Sequence, residues 1–151
     1  MDVDFLSSTF FRLMAALPLT LALWALAVFF GGMLALGITF LRTRKDAILP
    51  RIAKAYVFVF RGTPLLVQLY LIYYGLGSVK WIQQSYLWPF LREPFYCAVL
   101  ALSMNTAAYA SEIFRGSLAA VPYGQVEAGI ACGMSRFTAF HRIVFPIALR
   151  Q

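Results

Sequence analysis

The 151-residue chain has one histidine, two cysteines and six acidic residues. His141 has no cysteine or second histidine near it in sequence, so nothing marks a metal site. The acids are scattered, and no pair is spaced for general acid/base catalysis. Cys97 and Cys132 lack metal-ligand spacing and read as small apolar residues. Charge is scarce as well: 13% of residues are charged and 62% are hydrophobic. A soluble domain has roughly a quarter charged and about half apolar. These shortages exclude a soluble enzyme, a disordered chain and a disulfide-stapled secreted domain.

Long uncharged runs take the place of charge. Leu13 to Leu41 is 29 residues without a charge, Gly62 to Val79 is 18, and Phe95 to Ser111 is 17. At about 1.5 Å per residue, roughly 20 residues cross the hydrocarbon core of a bilayer. The reading is an all-α polytopic membrane protein with three membrane helices and the start of a fourth near Ile143 to Leu149. The first run follows acidic residues and is about twice the length of a signal-peptide core, so a cleaved signal is not expected.

The net charge of +7 would suggest nucleic acid in a soluble protein. Here the basic residues flank apolar runs, which is a topology signal, because Lys and Arg gather in cytoplasmic loops. Arg42, Arg44, Lys45, Arg51 and Lys54 stand against the single acid Asp46, whereas the N-terminus carries Asp2, Asp4 and only Arg12. The N-terminus is therefore expected outside, with Lys80 to Glu93 as a short external loop. Glu112 to Arg142 then falls in the cytoplasm, and the two cysteines lie on opposite sides of the membrane.

Along the chain, Met1 to Arg12 reads as a short external tail, helical near Phe10. Residues 1–16 are set apart from a membrane domain over 17–151. Pro18 sits near the start of the first membrane helix, and Gly31 and Gly32 are either a packing face or chance. Leu49, Ile52, Ala53, Tyr56 and Phe60 share a helical face opposite Arg51, Lys54 and Arg61. That stretch is either a helix in the interface or the first two turns of a long membrane helix with snorkelling bases. Thr63-Pro64 predicts a break, followed by a second membrane helix over Leu65 to Gly77. Tyr73, Tyr74, Trp81, Tyr86 and Trp88 fit an aromatic belt at the outer end. Gln68, the strongly polar residue of that helix, is expected to face protein or water.

Pro94 opens the third membrane helix, whose inner half is polar. Asn105, Tyr109 and Glu112 share one face, either lining a substrate path or bonding helices together. Gly116 and Pro122 are expected to end this helix. A short helix over Pro122 to Cys132 follows, capped by Gly133, and then a helix over Arg136 to Gln151 with Ser135 as its N-cap.

Two patterns in this region are decoys. Gly124 to Gly129 has the glycine spacing of a P-loop, but Ile130-Ala131 stands where Lys and Ser/Thr must hold phosphates, so nucleotide binding is not expected. Gln125 to Ile143 imitates a helix-turn-helix, yet a DNA reader has no use for three membrane-length runs. No nucleic-acid partner and no cofactor are expected.

The same segment resembles the cytoplasmic motif of type I ABC importer permeases: Glu-Ala-Ala, three residues, Gly, nine residues, Ile-x-Leu-Pro. Here it reads Glu127-Ala128-Gly129, three residues, Gly133, nine residues, Ile143-Val144-Phe145-Pro146. Gly129 replaces Ala and Phe145 replaces Leu; the first change is expected to loosen its helix. Arg61-Gly62-Thr63-Pro64-Leu65-Leu66-Val67-Gln68, Asn105-Thr106-Ala107-Ala108-Tyr109 and Glu112-Ile113-Phe114-Arg115-Gly116 are similar to the polar amino-acid uptake subfamily, in particular its M-type permeases for histidine, lysine/arginine/ornithine and opines.

The resemblance implies a type I transmembrane domain whose loop over residues 116–146 couples it to an ATPase. It implies a second homologous permease subunit, two cytoplasmic ATPase subunits that hydrolyse ATP on its behalf, a periplasmic binding protein, and an inner membrane as its lipid setting. Substrates would be polar amino acids or opines. Gln68, Asn105, Tyr109 and Glu112 are the candidate path residues. Family members continue to a fourth and fifth core helix, so the expectation is a C-terminally truncated copy. The second reading is a non-transporting membrane fragment.

Overall fold

The computed structural model describes residues 3–44 and 48–150, and over these it is helical with no strand. Met1, Asp2, Lys45, Asp46 and Gln151 lie outside the described residues.

Helix α1 spans Val3–Thr43, 41 residues, or about 60 Å, twice the thickness of a hydrocarbon core. It starts ten residues ahead of the expected Leu13. No glycine or proline interrupts Val3 to Leu17, so the helix continues through the stretch read as a tail. Pro18 consequently lies inside the helix rather than near its start, and it offers no N–H to the Met14 carbonyl.

Helix α2 (Leu49–Gly62) is followed by α3 (Leu65–Tyr70), a π-helical turn (Leu71–Gly75) and α4 (Leu76–Ser78). Thr63 and Pro64 are both extended, with ψ of 143° and 138°. Here the chain turns by 110° between Leu49–Gly62 and Leu65–Ser78. The break near Thr63 stands as expected. The helix expected over Leu65 to Gly77 is present as Leu65–Ser78, but its 14 residues reach only about 21 Å, too short to cross a membrane alone. Nor is α2 the opening of a straight membrane helix; its axis is turned away from the segment that follows. Among the described residues, α1 and α7 (Pro94–Ala119) are each long and apolar enough to cross a membrane, and the bent pair would make a third crossing.

Short helices α5 (Lys80–Gln83) and α6 (Trp88–Leu91) fill the loop before α7. Gly116 does not end α7, which runs on to Ala119 before the residues leading to Pro122. Beyond it stand α8 (Tyr123–Ala131), α9 (Arg136–Ala139), a second π-helical turn (Phe140–Val144) and α10 (Phe145–Ala148).

The core is the seam between α1 and α7, with α2 packed on both. Ala27, Gly31, Ala35 and Thr39, spaced every fourth residue on α1, are all buried. On α7, Ala101, Ser103, Ala107, Ala108 and Ser111 are also buried, and Thr39 Oγ1 donates to the Ser111 carbonyl at 3.3 Å. Between helices in lipid there is little hydrophobic drive, so adhesion comes from close backbone approach at small residues. A Cβ built on Gly31 would lie 2.8 Å from Thr106 Cβ and 2.9 Å from the Ser103 carbonyl oxygen, whereas one on Gly32 would meet nothing within 4 Å. Gly31 is thus a packing residue and Gly32 is not. Most large apolar residues of α1, among them Trp24, Phe29, Met33 and Leu36, are exposed, as suits a surface bathed by lipid.

Candidate functional site

The polar residues of α7 meet those of the bent segment. Gln68, 5% exposed, donates through Nε2 toward the Phe60 carbonyl (2.7 Å), the Thr63 carbonyl (3.0 Å) and Thr63 Oγ1 (2.8 Å). Its Oε1 accepts from Asn105 Nδ2 at 3.1 Å. One side chain therefore serves the carbonyls that the break at Thr63-Pro64 would leave without partners, and ties the break to α7. Gln68 faces protein, as expected. Nearby, Tyr56 Oη donates to the Met104 carbonyl at 2.6 Å, a second tie between α2 and α7.

One turn and two turns further along α7 stand Tyr109 and Glu112. The Arg61 guanidinium lies 5.3 Å from the centre of the Tyr109 ring, a cation–π contact. Glu112 is held from two sides: Oε2 accepts from Arg42 of α1 and Oε1 from Arg115, at 2.5 Å. Arg42 is only one-tenth exposed. These residues border an open cavity of about 430 Å³ whose walls include Arg42, Lys54, Phe58, Arg61, Tyr109 and Glu112. Of the family-signature residues, Gly62 is exposed with open space around it, Thr63 and Pro64 make the break, and Arg61 covers Tyr109.

The loop after α7 is a helix–turn–helix built on glycine. Gly133 has φ of +85°, the single positive φ among the described residues. The Gly133 N–H donates to the Ile130 carbonyl (2.9 Å) and the Met134 N–H to the Gly129 carbonyl (3.1 Å). This pair of bonds is a Schellman motif, which closes α8 with a left-handed residue at the position after the cap. Ser135 then caps α9, its Oγ accepting from the Thr138 N–H at 3.2 Å. Both caps match the sequence reading.

Gly129 is buried, and a Cβ there would come within 2.5 Å of Ile143 Cδ1 and 3.4 Å of Met134 Sδ. The glycine that departs from the family motif therefore gives room for the motif's own isoleucine. Glu127, Ala128, Gly133 and Pro146 are exposed. The motif thus splits into a packed pair, Gly129 and Ile143, and a free outer surface.

Sequence reasoning missed Arg42 and Tyr56 as partners of this site. Arg42 carried a usable signal: it ends the first apolar run, Glu112 ends the third, and those two helices run in the same direction, so the charges share a depth. The hydroxyl of Tyr56 carried none, being one of several aromatics on an apolar face.

Residues 27–151 match a family described as the binding-protein-dependent transport system inner membrane component. The octopine transport system permease protein OccM of Rhizobium radiobacter is 49% identical over 150 residues, which is 99% of this chain and 61% of that protein. The nopaline transport system permease protein NocM of Agrobacterium fabrum is 45% identical over 100% of this chain and 63% of its own length. The histidine/lysine/arginine/ornithine permease HisM of Escherichia coli K12 is 39% identical over 87% of this chain and 56% of its own. The chain thus spans about three-fifths of the length of these curated relatives. A chain from the crystal structure of an amino acid ABC transporter with histidines superposes with a TM-score of 0.80 at 36% identity, covering 99% of this chain and 67% of that one. The chain belongs to the binding-protein-dependent transport system inner membrane component family.

Proposed function

We propose that the chain is a permease subunit of an ATP-driven importer for polar amino acids or opines in a bacterial inner membrane. The observation that carries this reading is the loop over residues 116–146. Its two caps, the packed Gly129–Ile143 pair and the free Glu127 and Pro146 make a stiff, exposed helix–turn–helix on the side of the basic residues. The N-terminus is then periplasmic and Gly133 cytoplasmic, by the charge bias around Arg42 to Lys54.

In this assignment the loop docks on one of two ATPase subunits, a second homologous permease completes the pore, and a periplasmic binding protein delivers substrate. The Glu127 carboxylate is free to accept charge-assisted hydrogen bonds from an ATPase arginine or backbone amide. The stiffness of the Gly133 turn lets a push on α8 reach α9 and α10 as one body.

The polar face of α7 borders the translocation path. Asn105 and Gln68 lie deepest, and Tyr109 and Glu112 form its cytoplasmic end. In the full-length chain assembled with its partners, Asn105→Ala reduces uptake while subunit co-purification is kept. If assembly falls in parallel, the Asn105–Gln68 bond is only an adhesive between helices.

For the loop, Glu127→Lys or Gly133→Val in the full-length permease uncouples ATP hydrolysis from uptake or weakens ATPase co-purification, at normal permease levels. Normal docking and normal coupled uptake in both variants would remove the assignment.

A further inference from the structure

The cavity among α1, α2 and α7 has a charge that import of amino acids does not account for. Three cations, Arg42, Lys54 and Arg61, stand in its wall against one carboxylate, Glu112. Each oxygen of that carboxylate already accepts from an arginine. Arg42 is nine-tenths buried, and its Nε has no hydrogen-bond partner among the described residues. Lys54 makes no ion pair among them. The Arg42 Nε is sealed from the cavity, so what faces a ligand is the excess of cationic groups in the wall, and guanidinium and ammonium groups donate best to an oxyanion.

The surroundings specify which oxyanion. Phe58, also in the wall, is 80% exposed, and on the same helix Ile52 and Val59 are exposed too. Helix α2 is turned by 110° from the segment after it, with bases and bare apolar side chains along one short helix, the composition of a helix lying at the membrane interface. A ligand here meets cations at one end and an apolar surface at the other. We propose that the cavity binds the phosphate of an anionic phospholipid, with Arg42, Lys54 and Arg61 around the headgroup and an acyl chain along Phe58. Basic pockets between membrane helices hold lipid headgroups in this manner. The lipid would tie α2 to the α1–α7 seam. The inference needs only that the chain lies in a membrane; because Tyr109 and Glu112 line this same cavity, a lipid here and a solute at the cytoplasmic end of the path compete for one space, and the arginine arm of the test tells them apart.

The test uses the full-length permease complex purified in a neutral detergent. Its thermal stability is titrated with phosphatidylglycerol, with phosphatidylcholine of the same chains, with inorganic phosphate and with free arginine. The expected result is saturable stabilisation by phosphatidylglycerol alone. Lys54→Gln should weaken the apparent affinity about five-fold, the worth of one basic residue near an anionic lipid. Arg51→Gln removes an equal charge from α2 but leaves the cavity wall intact, and should leave the affinity unchanged. Both variants must elute as the wild-type assembly does; if Lys54→Gln does not, Lys54→Arg, which keeps the charge, should retain wild-type affinity. Equal stabilisation by phosphatidylcholine overturns the proposal, as does equal weakening by both variants, which would mean diffuse attraction. Stabilisation by inorganic phosphate or arginine in place of the lipid also overturns it, identifying a site for a free anion or a transported solute. Loss of transport without any change in lipid affinity would bear on the importer reading alone.

Discussion

The seam between α1 and α7 is held in two ways along its length. Through its middle, Ala27, Gly31, Ala35 and Thr39 lie against small residues of α7, with the Ser103 hydroxyl buried and unpartnered among the described residues. At its end, Arg42 reaches across to Glu112, which also holds Arg115. The middle adheres by closeness and tolerates no added volume. The end adheres by charge and tolerates no lost partner. Two helices in lipid can be joined by either means, and the two should fail differently when altered.

The largest effect is expected at the charged end. Glu112→Gln leaves Arg42 buried and uncompensated, at a cost of about 3 kcal/mol, the usual loss on breaking a buried pair from one side. It should be read as a lowered unfolding midpoint of the purified protein. Replacing both partners, Arg42→Met with Glu112→Met, should recover most of that loss, because two matched apolar side chains leave no orphan charge. If the double variant is as unstable as the single one, the pair is not what holds this end.

Next comes the middle of the seam. Gly31→Val drives methyl groups into Thr106 and the Ser103 carbonyl and should cost roughly 1–3 kcal/mol. Gly32→Val, one residue along, should change stability by less than about 0.5 kcal/mol. Equal effects at the two glycines would contradict the packing described here. In the loop after α7, Gly133→Ala should cost about 1 kcal/mol, because the left-handed conformation crowds a Cβ. The protection of the Met134 amide against hydrogen exchange should fall with it.

Among the glycines that touch a neighbour, the smallest effect belongs to Gly129→Ala. The added methyl meets Ile143 Cδ1, the far end of a side chain that can turn aside, so the cost should stay near 0.5 kcal/mol. Ile143→Val in the same chain should remove it. The stated concern that Gly129 loosens its helix is then offset by the packing it permits, which a comparison of the single and double variants measures directly.

Much of this was legible in the sequence because the signals were local. Thr63-Pro64 announced the break, Gly133 and Ser135 announced their caps, and the isolation of Gln68 in an apolar run turned it away from lipid, toward protein or water. The angle at the break was not legible. Proline dictates that the helix stops, but the 110° turn depends on Gln68 reaching back to Phe60 and Thr63, a contact that exists only once the chain has folded. The start of α1 was also missed, because a helix need not end where its apolar run ends, and nothing before Pro18 breaks it. The difference between Gly31 and Gly32 was beyond reach for another reason: helical phase decides which of two neighbours faces α7, and the first run is apolar on every side.

The central claim is that the loop around Gly133 faces an ATPase in the cytoplasm, and Cys132 tests it without any substitution. Cys132 is exposed beside Gly133, while Cys97 is buried. An impermeant maleimide should label Cys132 in inside-out vesicles stripped of the ATPase, should fail to label it in intact cells, and should be blocked when the ATPase is restored. Labelling of Cys132 in intact cells, or equal labelling of stripped and restored vesicles, would contradict the account.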